Sequence, residues 1–477
     1  MRVVPRRYAA ALQPHVRRCK KLVLMIVHIV SQWLKRGFGR ILLSTFRKFL
    51  KLLSFIKIVI ASFRNLFRLL SRKNDPPTTP TATIGHVQLP AATSPRLHLD
   101  HPTDEESIAI WMLTASSWRY ALSIPQYLEK SSYLMTVPLA KDGGLTQWIL
   151  VDKTLPPNQR PIPASCETLR KRALVSDVHG NVTEAIAHGV ASVYCDPKYR
   201  RRGYASRLLR ELRDVLPVWQ ADQSKRVVAS ILFSDIGKEF YAAVGWRPFP
   251  SFHLEFDAAA LVATGASHVF AEQVGELCKE DEAISRRAMA CPYSRRKTRF
   301  MILPDHDHML WHHRREEFVC EKLLGKQPHV KGAIAGSPGN RVWALWSHCF
   351  SGTPPDQRSS QNTLHILRLV LENEVSLEHA LQAGNLFEEN ELVPPPPVEE
   401  LKAVLQAAQS EAAEWKLQHV ELWAPSPLLE RLIQETGIQH RKRDRSQTGI
   451  CSLQWYGDAN GQSDGLDWIG NGKYHWC

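Results

Sequence analysis

Asp196–Leu212 reads DPKYRRRGYASRLLREL. An apolar, strand-like segment, Val190–Tyr194, runs into this basic turn, and the turn opens directly into a helix with a leucine stripe. Backbone N–H groups crowded at the positive end of a helix make a seat for a pyrophosphate. Gly203 has no side chain to block a phosphate approaching the main chain. Ala205 keeps the first helical turn small, and Arg200, Arg201 and Arg202 supply positive charge. Ala205, Leu208, Leu209 and Leu212 then pack the helix onto a sheet. On charge alone, a solvated turn before an ordinary amphipathic helix would explain the segment; the glycine placement and the strand–loop–helix context favour phosphate binding. The chain has neither GxxxxGK[ST] nor GxGxxG, so a mononucleotide P-loop and a Rossmann fingerprint are excluded.

Working outward, strands are expected near 97–99, 134–139, 147–152, 161–169 and 184–195, with a helix at 104–113 and a Trp/Tyr-rich stretch through 130. After the basic loop come a helix at 204–214, a strand at 227–233, a helix at 236–243 and a strand at 250–255. Strands joined by crossover helices predict an α/β domain over 97–260. A connecting segment, 261–299, leads to a second α/β domain over 300–477. There a helix is expected from Met309 to Leu324, strands at 342–348, 364–371, 419–423 and 450–455, and helices at 398–415 and 427–432. Trp343, Trp346, Trp415 and Trp423 fall in these patterns as core residues. His308, His312 and His313 read as surface histidines of a polar helix start, because the glutamate of HExxH is missing; no metal is expected. Glu316 and Glu317, beside Arg314 and Arg315, read as surface carboxylates.

The 477 residues carry a formal charge of +14, but its distribution argues against nucleic acid. Residues 1–73 hold 18 of the 61 Lys and Arg and no Asp or Glu, so the rest is slightly acidic. Within this leader (1–74), residues 49–70 show apolar side chains every three or four positions with basic ones opposite. Such a helix suits an anionic membrane surface. An acid-free leader also suits mitochondrial targeting, and an extension outside the fold is the third reading. A cytoplasmic location is expected, with mitochondrial or membrane-peripheral placement as the alternatives. Residues 75–96, rich in Pro, Thr and Ala, read as a linker. Nine scattered cysteines without a CxxC pair indicate free thiols; Cys166 and Cys195 lie near the phosphate loop and read as small buried hydrophobes.

Arg200-x-x-Gly203-x-Ala205 resembles the acetyl-CoA pyrophosphate loop of the GCN5-related N-acetyltransferase (GNAT) superfamily. Phe233–Trp246, with an aromatic pair at Phe240–Tyr241 before Gly245–Trp246, resembles its following motif. Stretches 138–152, 165–175 and 188–212 are similar to the fungal lysine N6-acetyltransferase LYC1-like family, a likeness that covers roughly 97–477. It implies a splayed mixed sheet, acetyl-CoA as donor, and a small amine acceptor, best represented by the side chain of free L-lysine; a peptide amine, or a non-catalytic CoA-binding scaffold, are the alternatives. The pantetheine arm should run beside Val190–Tyr194, with Val193 and Tyr194 among the cofactor residues together with Arg200–Ala205, Tyr204 included. Tyr241 matches the position of the family's general acid. Glu167, Glu184 and His188 are rival bases. Ser234 and Asp235 close the following strand, where they steady the cofactor or cap the next helix.

Overall fold

The computed structural model describes residues 89–477 apart from 223, 262–264, 292–296, 353–361, 384–394, 458–464 and 477. The basic leader and most of the linker lie outside the described residues. In chain order the first half contains β1 (Leu97–Asp100), α1 (Asp104–Trp118), α2 (Ile124–Leu134), β2 (Leu145–Asp152), β3 (Ala164–Ser176), β4 (Val182–Cys195), α3 (Tyr204–Val215), β5 (Val227–Ser234), α4 (Glu239–Ala242) and β6 (Arg247–Pro248). Then follow β7 (Phe252–Asp257), β8 (Ser267–Phe270), α5 (Ala271–Ala290), β9 (Thr298–Ile302), α6 (His306–Leu324), β10 (Val330–Ala335), β11 (Val342–Cys349), β12 (Thr363–Leu371) and α7 (Glu374–Ala383). The chain closes with α8 (Val398–Glu414), β13 (His419–Trp423), α9 (Pro427–Glu435), β14 (Arg441–Asp444), β15 (Ile450–Trp455) and β16 (Leu466–Trp468).

Local chemistry fixes the helix starts. Thr103 caps α1 and Glu106 reaches back to the Thr103 N–H, a reciprocal box. Ser123 and Gln126 do the same for α2, with a proline in its first turn. That box marks a helix where the sequence pattern indicated none. The expected strand at 134–139 is instead a run of turns. Its apolar residues Leu134, Val137 and Leu139 are buried against Leu169 and Trp311, so burial rather than pleating explains their spacing.

Two mixed sheets result. The first runs β1-β2-β3-β4-β5-β15-β6, with β9 beside β3 and β16 beside β9; the second runs β14-β7-β13-β12-β11-β10-β8. Each contains a parallel pair reached through a crossover helix: β4–β5 across α3, and β12–β13 across α8. The sheets do not divide the chain at residue 260. Strand β7 belongs to the second sheet, whereas β9, β15 and β16, from the second half of the chain, complete the first. A sequence pattern locates a strand but carries no information on its partner.

One core lies between the sheets. Ala173, Ala185, Ala187, Ala229 and Ile231 from the first cluster with Trp343, Leu345, Leu367 and Val370 from the second, small residues making room for the indole. Trp246, Trp343 and Trp346 are fully buried, and side chains of this size each contribute about 2–3 kcal/mol by leaving water. The second sheet's outer face packs on α8 and α9 through Leu401, Val404, Leu405, Leu432 and Ile433.

Four surface expectations are corrected by this packing. His308, His312 and His313 are buried; His312 and His313 bond the carbonyls of Tyr474 and Trp346, and His308 pairs with Asp305. Glu316 is buried too, 2.7 Å from the Lys331 ammonium and 2.7 Å from His348 Nδ1. Helix α6 is therefore a core element in which Glu316, His312 and His313 bond partners inside the protein, while His308 Nε2 and Trp311 Nε1 have no partner among the described residues.

Because each sheet borrows strands from the other half of the chain, the two should melt together. We expect one cooperative transition in guanidinium, with tryptophan fluorescence and far-UV circular dichroism coinciding. Two resolved midpoints would show the sheets to be independent.

Candidate active site

Strands β4 and β5 pair only from Ile186↔Val227 to Gly189↔Ile231, although β4 continues to Cys195 and β5 to Ser234. Two features separate them. On its other side β4 carries a bulge, where Ser192 and Val193 together oppose Cys166, and Ser192 adopts φ +52°. A bulge bends its strand. Strand β5 cannot follow, because β15 holds its far edge from Ala229 to Ser234. The edge of residues 190–195 facing β5 is thus left unpaired.

The basic loop sits at the open end of this wedge. Asp196 caps the short turn Pro197–Tyr199, Arg201 has φ +61° and Gly203 has φ +83° before α3 begins. The first backbone bond into the helix is Arg207 N–H to the Gly203 carbonyl, 3.0 Å. The N–H groups of Arg200 through Ser206 donate to no protein acceptor among the described residues. Unpaired amides clustered at a helix start are the donor set a diphosphate needs. The Arg200 guanidinium bonds the Cys195 carbonyl at 3.1 Å and lies over the Tyr194 ring. Tyr204 contributes main chain only, since its buried phenol donates to the Pro90 carbonyl at 2.7 Å.

Loop and wedge open into a cavity of about 880 Å³. Val193, Tyr194, Arg200, Arg201, Gly203, Tyr204, Ala205, Glu167 and Tyr241 all line it. The Tyr241 hydroxyl makes no hydrogen bond among the described residues, and burial pushes its pKa up, so the phenol keeps its proton at neutral pH. Glu167 accepts from Ser192 Oγ at 2.7 Å and from Gln147 Nε2 at 3.2 Å, which fixes its carboxylate beside the bulge.

Four candidates fall elsewhere. His188 is buried beneath the sheet with Nε2 3.0 Å from the Trp219 carbonyl, and burial pushes its pKa down to about 4. Glu184 is bound to Lys225 and Arg286 at the far end of β4, and those bonds hold its pKa at about 2. Arg202 points to solvent. Ser234 is buried and closes a turn, its hydroxyl donating to the Gly237 carbonyl and accepting from the Ile236 N–H. Its neighbour Asp235 accepts from the Gly449 N–H at 2.9 Å and faces the cavity, so it tethers β5 to the turn before β15. Cys166 also lines the cavity, with burial raising its pKa.

Several cavity residues carried no signal in the sequence. Lys130 on α2, Arg315 on α6 and Trp476 near the chain end come from distant segments. Burial, reinforced by the Arg315 charge, pushes the Lys130 pKa down to about 7. Among the described residues, no group of three or more His, Cys, Asp and Glu is placed to hold a metal ion, and no helix is long and apolar enough to cross a membrane.

Residues 253–477 match the family model of the LYC1 GNAT-like C-terminal domain, and the preceding half has the β-α-α-β-β-β-α-β-α order with the splayed β4–β5 pair. The carboxyl-terminal part of the chain is thus similar to the LYC1 GNAT-like C-terminal domain. A protein of Yarrowia lipolytica named lysine acetyltransferase is 21% identical over 357 residues, 66% of this chain and 84% of that protein. Among solved structures, the chain is similar to a conserved protein of Enterococcus faecalis described as a probable N-acyltransferase, at 12% identity and a TM-score of 0.44, covering 76% of this chain and 72% of the other. It is also similar to a GCN5-related N-acetyltransferase of Kribbella flavida, at 13% identity and a TM-score of 0.41, covering 76% and 71%. The fold reading rests on the strand order above.

Gly203→Ala tests the amide cradle. A Cβ there meets Ala92 Cβ at 3.3 Å and must tolerate φ +83°. Strain of about 1–2 kcal/mol should weaken coenzyme A binding about tenfold in a calorimetric titration. Unchanged affinity would remove Gly203 from the phosphate site.

Proposed function

We propose that this enzyme transfers the acetyl group of acetyl-CoA to the side-chain amine of free L-lysine. The observation that carries the donor half is the row of unbonded amides from Arg200 to Ser206 at the mouth of the β4–β5 wedge. The acceptor half is supported by the likeness to the Yarrowia lipolytica protein named lysine acetyltransferase.

In this reading the amides of the basic loop hold the diphosphate, and the free edge of residues 190–195 receives the amide groups of the pantetheine arm. Bound acetyl-CoA supplies an activated thioester in the wedge. An ammonium ion has no lone pair, so the acceptor must lose a proton before it attacks. Glu167, fixed by Gln147 and Ser192, holds the incoming ammonium and takes that proton, directly or through water. Tyr241, protonated and without a competing hydrogen bond, gives its proton to the departing thiolate. His188 has no part in the transfer, because its ring is committed to a main-chain carbonyl beneath the sheet.

Thiol release measured over L-lysine, L-ornithine, polyamines and lysine-containing peptides should give the highest kcat/KM with free lysine. A clear preference for peptides would replace the acceptor while leaving the donor site intact. Tyr241→Phe is expected to lower kcat about a hundredfold with the KM for acetyl-CoA within about threefold. Full turnover in that variant would assign the proton to another group.

A further inference from the structure

A second cavity, of about 410 Å³, adjoins the first; Tyr120, Lys130, Asp235, Arg315 and Trp476 line both. Its far wall comes from the carboxyl-terminal half: Trp423 at the end of β13, Arg445 after β14 and Lys473 near the chain end. Arg445 is 8% exposed, yet Nε, Nη1 and Nη2 all lack a hydrogen-bond partner among the described residues. Its guanidinium carbon lies 3.6 Å from the centre of the Trp423 ring. Lys473 is 7% exposed, its ammonium 4.0 Å from the same ring and 3.9 Å from that of Trp476, with no carboxylate of the described residues in salt-bridge range. Arg315 lies over the other face-forming indole, 5.1 Å from the Trp476 centre.

Two buried cations against one indole repel each other, and a ring quadrupole offsets only part of the cost of taking them from water. The acidic groups of this cavity are occupied elsewhere. Glu421 accepts from Trp423 Nε1 at 3.0 Å and stands 3.3 and 3.4 Å from His419 and His365. Glu316 serves Lys331 and His348, and Asp235 serves the Gly449 N–H. A guanidinium with three unfilled donors, kept in a cavity, is a fork for a planar anion.

We infer that Arg445 and Lys473 bind the α-carboxylate of the acceptor, so that the second cavity selects a free amino acid and directs its side-chain amine through the shared opening toward Glu167 and Tyr241. This deepens the lysine reading and rests on it: the cations define the substrate as a zwitterionic amino acid, distinct from a diamine of the same length.

Equilibrium binding separates the two ideas. Calorimetric titration should detect L-lysine and give at least tenfold weaker binding of cadaverine, its decarboxylated counterpart, and of inorganic phosphate. Arg445→Met and Lys473→Met should each weaken L-lysine at least tenfold and shrink the lysine-to-cadaverine ratio of kcat/KM by a similar factor, with coenzyme A binding and the melting temperature showing that each variant is folded. Equal binding of lysine and cadaverine, no binding of lysine at millimolar concentration, tighter binding of phosphate, or an unchanged ratio in both folded variants would overturn the carboxylate site. Thiol release with amines other than lysine would meanwhile keep the transferase reading standing; its absence with every amine would remove that reading even if lysine binds.

Discussion

Strand β5 is asked to pair on both edges, and the two edges are served unequally. On one side β15 holds it from Ala229 to Ser234; on the other β4 stays for only four register pairs before the bulge at Ser192 and Val193 carries it away. The donor site follows from this constraint. A strand edge without a partner leaves N–H and C=O groups that must find bonds elsewhere, and here they face a cavity rather than a neighbouring chain. The loop repeats the principle at right angles: Gly203 in the left-handed region starts α3 with no side-chain cap, leaving its first amides to an anion. Both halves of the site are made of main chain whose usual partners have been withheld.

The anchor of that arrangement lies more than 200 residues downstream. β15 reaches β5 only after the second sheet has been built, and the turn before it is tied to Asp235 through Gly449. The same return of the chain brings Arg445 and Lys473 to Trp423, and Trp476 to the junction of the cavities. Closing the first sheet with a strand from the second half therefore does two things at once: it keeps β5 from following β4, and it furnishes the far wall of the adjoining cavity. The shared core of alanines around Trp343 packs the two sheets together.

What the sequence made legible was local. The loop from Arg200 to Ala205, the strand before it and Tyr241 after it lie within about fifty consecutive residues, and their chemistry depends on neighbours in the chain. Glu167 was legible only as one of three rival bases, and of the three it is the one that lines the cavity. His188 was misjudged because alternation along β4 does not reveal that a ring points under the sheet to the Trp219 carbonyl. Of the two readings of Ser234, cofactor contact or cap, the structure shows the second kind of role, its hydroxyl closing the turn after β5. Helix α6 was read as a polar surface, since nothing local shows that Lys331, His348 and Glu411 would satisfy one another and Glu316 within the core. Arg445 and Lys473 lie in segments without periodicity, and only tertiary contact turns them into a pair.

In the proposed reading the two ends of the joined cavity would hold anions by different means, and the difference bears on the reaction between them. Main-chain amides at the loop carry no net charge, whereas Arg315, Arg445 and Lys473 line the second cavity with basic side chains, the Lys473 pKa pushed by burial down to about 7. An amine entering this space meets burial and cationic neighbours together. Lys130 already lives there, and burial with the Arg315 charge brings its pKa to about 7, far below that of an alkylammonium in water. A substrate amine exposed to the same surroundings is shifted in the same direction, toward the neutral form that can attack a thioester. The cations that suit a carboxylate at one end would thus ease deprotonation at the other, which reduces what Glu167 has to do. A strong base is unnecessary where the cavity itself disfavours the ammonium ion.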